Sequence, residues 1–141
     1  MRLFLTIFFI FSFNQASAND KLTEAELRLI YEKLNLSTFR NSTGPSRDKG
    51  DKYFSDLNLP LSKVTDNSLI VETEDWIYII TILKIKDFTK DGITDIAVCF
   101  NDKAKFATYN SQQPILITQL TENSDYVALK FEIDGCSEYA K

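Results

Sequence analysis

The run Trp76-Ile77-Tyr78-Ile79-Ile80-Thr81-Ile82-Leu83-Lys84-Ile85-Lys86 decides the fold. Its β-branched and aromatic residues suit a pleated strand, and from Trp76 to Ile85 it is apolar at odd and even positions alike. A strand that is covered on one face alternates, whereas one that is apolar on both faces lies inside a sheet. The run therefore predicts a central strand. Working outward, residues 68–73 before it and 94–100, 104–109, 114–120 and 125–133 after it share that composition and are separated by short polar links. Short links join antiparallel neighbours. In the last of these segments Val127, Leu129, Phe131 and Ile133 alternate with Ala128, Lys130 and Glu132, which predicts one packed and one wetter face.

Upstream the period is helical. Residues 22–35 carry Leu27, Ile30, Tyr31 and Leu34 at i, i+3, i+4, i+7 spacing, and Thr23 with Glu26 has the form of a capping box. Glu24, Glu32 and Lys33 lie off that stripe, so the helix is amphipathic and must pack on the sheet. Residues 37–66 are polar and rich in breakers, a long connection in which Tyr53, Phe54, Leu57, Leu59 and Leu61 are expected to pin the chain to the core. The fold class predicted is α+β: an N-terminal helix packed on a curved antiparallel β-meander of five to six strands. No internal repeat is visible.

Residues 1–18 read as an export signal: Arg2, an apolar run from Leu3 to Phe13, and Ala16-Ser17-Ala18 as the cleavage site. The run is shorter than the roughly 20 residues a bilayer span needs, so the expectation is an exported domain of residues 19–141, periplasmic or secreted and not membrane-embedded. Losing Arg2 leaves it one unit more acidic than the −4 of the whole chain, which argues against nucleic acid as a partner. Cys99 and Cys136 are the only cysteines, and an oxidising compartment predicts a bridge between them. The absence of histidine removes His-based acid–base catalysis, Ser-His and Cys-His nucleophile pairs and the usual zinc sites.

One stretch has the spacing of a cation loop. In Asp87-Phe88-Thr89-Lys90-Asp91-Gly92-Ile93-Thr94-Asp95, oxygen side chains fall at positions 1, 3, 5 and 9 and Gly at 6. Alternate side chains then point inward and glycine permits the sharp turn. Asp87, Thr89, Asp91 and Asp95 would supply side-chain oxygens and Ile93 its carbonyl, with calcium as the ion. Position 12 is Val98 rather than a bidentate Glu, so this is not an EF-hand. Lys84, Lys86 and Lys90 offset the three carboxylates, which predicts weak binding in the millimolar to sub-millimolar range of extracellular modules. The plainer alternative is an Asp-Gly hairpin connection whose carboxylates accept from loop N–H groups and pair with the lysines.

The loop is similar to the Asp-rich calcium hairpins of bacterial surface and integrin-like repeats, Asp-x-Asn/Asp-x-Asp-Gly-x-x-Asp followed by a strand. More widely, Phe39-Arg40-Asn41-Ser42 with Gly44-Pro45, Trp76-Ile77-Tyr78, this loop, and Thr108-Tyr109 ahead of Pro114-Ile115-Leu116-Ile117-Thr118 resemble a group of small uncharacterised exported bacterial proteins. That resemblance implies export and the calcium-type hairpin, and it brings no activity with it. The third and fourth loop positions, Asn and Gly in the group, are Thr89 and Lys90 in this chain.

Two further sets bear on partners. Arg40 and Arg47 flank the Gly44-Pro45 turn, and Tyr109, Gln112 and Gln113 belong to a polar, aromatic-bearing stretch of the kind that reads a partner surface. Glu72, Glu74 and Asp75 before Trp76 are the acids a carboxylate-dependent glycan hydrolase would use. The reading favoured is an exported interaction module with a protein partner, neutralising an exported hydrolase or toxin, and the alternative is such a hydrolase acting on cell-wall or extracellular glycan.

Overall fold

The computed structural model describes residues 21–136. The expected export signal lies outside them. Six strands, β1 (Leu61–Val64), β2 (Ser68–Glu72), β3 (Trp76–Lys86), β4 (Asp95–Ala104), β5 (Asn110–Gln119) and β6 (Tyr126–Leu129), form one sheet in sequence order, with every neighbouring pair antiparallel. Helix α1 (Glu24–Lys33) precedes them, and the class is α+β. The sheet is open rather than strongly curled, with β1 and β6 at its edges. No helix among the described residues is long and apolar enough to cross a membrane.

The capping box forms as the spacing predicts: the Glu26 N–H donates to Thr23 Oγ1 (3.2 Å) and the Thr23 N–H to Glu26 Oε2 (2.7 Å). Leu27, Ile30 and Leu34 are buried to 1% exposure or less. Ile30 and Leu34 join a core drawn from one face of the sheet, in which Leu69, Val71, Tyr78, Ile80, Val98 and Phe100 sit. Each such fully buried side chain contributes about 1.5–3 kcal/mol of transfer free energy. The long connection is pinned as expected. Phe54 is fully buried and stacks on Tyr31 at 5.7 Å, and the Tyr53 hydroxyl donates to Asp125 (2.8 Å).

Four expectations are corrected. β1 lies inside the stretch read as loop: four residues with a register break between Leu61 and Lys63 carry too little pattern to announce a strand. Residues 105–109 are a hairpin loop and not part of a strand, because the Ala104 N–H bonds the Tyr109 carbonyl (3.0 Å) and closes β4 onto β5. β6 stops at Leu129, where the Phe131 N–H turns back onto the Leu129 carbonyl (3.0 Å). Within β6 it is Tyr126 and Ala128 that face the core, Ala128 standing opposite Ile117. The apolar Val127 and Leu129 fall on the other face because that face is covered as well. Residues 130–136 run back to it and are fastened by the disulfide expected between Cys99 and Cys136, Cα atoms 5.4 Å apart. A Cβ at Gly135 would come within 3.1 Å of Leu83, so the segment lies directly against β3.

Candidate functional site: a groove beside a tied loop

β5 runs from Asn110 to Gln119, yet β6 pairs only with its residues 116–119. Where β6 ends, a groove of about 730 Å³ opens, lined by residues 38–40 and Thr43, by residues 113–115, and by residues 128–134. Arg40 and Gln113, 73 positions apart in the chain, meet there.

One side of the groove is the loop 39–47, and its rigidity has identifiable causes. Phe39 is buried with its ring edge-on to Phe100 at 5.2 Å. Thr43 is 3% exposed and its hydroxyl donates to Gln113 Oε1 (2.8 Å). The Arg47 guanidinium donates to the carbonyls of Thr43 (2.8 Å), Pro45 (2.9 Å) and Arg40 (3.3 Å). Its partial burial lowers its pKa from the high value of an exposed guanidinium. Gly44 takes a left-handed φ of +80° and donates its N–H to Asp102 Oδ2 (3.2 Å). The structure thus separates the residues picked out from the sequence. Arg40 is exposed at the groove, Gln113 supports the loop, and Arg47 is a clasp that holds loop carbonyls. Gln112 lies on β5 opposite Asn101 of β4, and Tyr109 sits in the 105–109 loop with its ring edge-on to Trp76 at 5.5 Å. Asp102, which sequence reading passed over, is the residue on which the loop closes.

The opposite end of β3 carries the loop 87–95. Gly92, at φ +87°, makes the turn. Asp87 accepts from the N–H groups of Gly92 (2.9 Å) and Asp91 (3.2 Å), and the Gly92 N–H above all holds its carboxyl below the ordinary value. Asp91 accepts from the Ile93 N–H (2.9 Å). Asp95, 0% exposed, accepts from the Thr89 N–H (2.9 Å), the Thr89 hydroxyl (3.1 Å) and the Thr118 hydroxyl. Among the described residues these carboxylates form no ion pair with Lys84, Lys86 or Lys90. Lys86 instead lies over the Phe88 ring at 5.7 Å. No group of three Asp, Glu, His or Cys side chains converges among the described residues in a way that would hold a metal.

The acids before Trp76 are at the other end. Glu72 pairs with Lys105 (2.6 Å), while Glu74 and Asp75 are exposed on the β2–β3 turn. An 11-residue strand, a length of about 35 Å, separates them from Asp87. Comparison with family models, curated proteins and solved structures returned no match.

Proposed function

We propose that this chain is a small exported binding module, periplasmic or secreted, that engages a protein partner through the groove beside β5 and so neutralises an exported hydrolase or toxin. The observation that carries the reading is the groove. It is concave, it mixes apolar residues such as Phe39, Ile115 and Phe131 with the charged rim residues Arg40, Lys130, Glu132 and Asp134, and both of its sides are braced. Loop 39–47 is tied by Arg47 and Asp102, and residues 130–136 are held by Cys136. Preorganised concave sites of this composition are where proteins take ligands. The disulfide suits an oxidising compartment.

The spacing of Asp87, Thr89, Asp91, Ile93 and Asp95 supports a second role for the module's other end, weak calcium binding. Asp87 is favoured in its ionised form there, and an ion would have to draw Thr89 and Asp95 out of hydrogen bonds they already make, in keeping with low affinity. Selection of linear peptides displayed on phage tests the groove reading. Peptides that bind the protein and lose binding to Arg40→Glu support it, and failure to select any groove-dependent peptide contradicts it.

A further inference from the structure

Asp102, which ties loop 39–47 through one carboxylate oxygen, has a second oxygen that the loop does not use. Asp102 is 5% exposed. Its Oδ2 accepts the Gly44 N–H, while its Oδ1 is buried with no hydrogen-bond partner among the described residues. Of the cations near it in sequence or on the loop it ties, Arg47 donates to three carbonyls, Lys105 pairs with Glu72 and Lys103 is exposed. A buried carboxylate oxygen without a partner carries a desolvation cost that a donor brought from outside would offset.

What surrounds it selects the donor. Tyr78 stands directly opposite Asp102 across the β3–β4 ladder. Trp76, two residues along the same strand, stacks on Tyr78 at 6.3 Å and meets Tyr109 edge-on at 5.5 Å. A calcium or magnesium ion needs several oxygen ligands, and one carboxylate among rings does not provide them. An organic cation that carries N–H donors uses both parts, since those N–H groups suit the orphan oxygen and its charge suits aromatic rings. We propose that Asp102, Trp76, Tyr78 and Tyr109 form a recognition site for an organic cation of the alkylammonium or guanidinium class. Tyr109, 45% exposed on the 105–109 loop and edge-on to Trp76, is the member of the set that faces solvent. Asp102 also ties the groove's loop, but cation binding at its second oxygen does not require the groove to hold a partner.

Trp76 is the only tryptophan, so its fluorescence reports on the site directly. The protein is titrated with n-butylammonium chloride and with N-acetyl-lysine methylamide, each against sodium chloride at equal ionic strength. The expected result is a saturable change for at least one amine, with the midpoint moved about tenfold or more by Asp102→Asn. Tyr109→Leu, on an exposed loop, is the second variant and weakens binding in the same direction. A response to the blocked lysine alone assigns the ligand to a partner's side chain, and a response to both assigns it to amines generally. No saturable change with either amine, or equal midpoints in the wild type and both variants, overturns the proposal.

Discussion

Asp102 and Tyr78 face each other across the central pair of strands, an acid and a phenol on the core side of the sheet. Burial pushes the Tyr78 hydroxyl up to about 12, and the neighbouring carboxylate adds to the shift. Burial also raises Asp102, against the opposing pull of the Gly44 N–H. Apolar Ile80, Val98 and Phe100 lie beside the pair on this face, and loop 39–47 reaches it through the Gly44 N–H.

Asp102→Asn is expected to stabilise the protein at neutral pH by about 1 kcal/mol or more, since it removes an uncompensated buried charge. The sign depends on pH. Below the ordinary carboxyl value of 3.8 both folded and unfolded wild type hold the proton and the variant gains little. As pH rises through the raised folded value, the wild type must ionise a buried group and falls behind. Thermal melting between about pH 3.5 and 7 should show the gap in Tm widening with pH.

Reduction, or Cys136→Ser, frees residues 130–136 from β4. Closing a 37-residue separation is worth about 4 kcal/mol in the chain-entropy account, and the expected loss on denaturant unfolding is about 2–4 kcal/mol. Residues 130–134 also line the groove, so groove-dependent peptides should bind the reduced protein more weakly than the oxidised one.

Gly44→Ala tests the tied loop. The residue sits at φ +80°, and a Cβ there would meet the Phe100 ring at 3.4 Å and Arg47 at 3.5 Å. The left-handed backbone alone costs a non-glycine residue about 1–2 kcal/mol. The variant is expected to lose at least that much stability in urea unfolding, with faster amide exchange at position 44 and its neighbours.

Calcium at several millimolar, a few-fold to a few tens of times the dissociation constant of such a weak site, should raise the Tm of the wild type by a few degrees. Asp91→Ala should abolish the rise. Differential scanning fluorimetry with magnesium as the control ion checks this, and an unchanged Tm would leave residues 87–95 as the Asp-Gly hairpin connection.

What could be read from the sequence is local. Thr23 and Glu26 announce the helix start because a capping box is a three-residue relation, and residues 76–86 announce a central strand because both faces are apolar along one run. β1 escaped because Leu61 and Val64 are its only apolar residues. The 104–109 stretch misled because Phe106 and Tyr109 read as strand residues, yet the structure leaves them exposed on a hairpin tip, Phe106 at 83%. Arg40 and Gln113 were legible as candidates one by one. Their meeting was not, since it depends on β6 ending early and on Thr43 reaching Gln113 across 70 positions. Asp102 gave no signal, because residues 101–103 read as a polar link between two strands, where an acid is ordinary; the structure instead carries β4 through to Ala104, and the register turns Asp102 inward.

The most direct test of the account is differential capture from cell-envelope extract, using immobilised wild type and Arg40→Glu side by side under oxidising conditions. The account predicts a protein retained in near-stoichiometric amount by the wild type and lost from the variant, which should melt within about a degree of the wild type because Arg40 is exposed. Retention of the same proteins by both, or of none by the wild type, would contradict the groove as the binding surface.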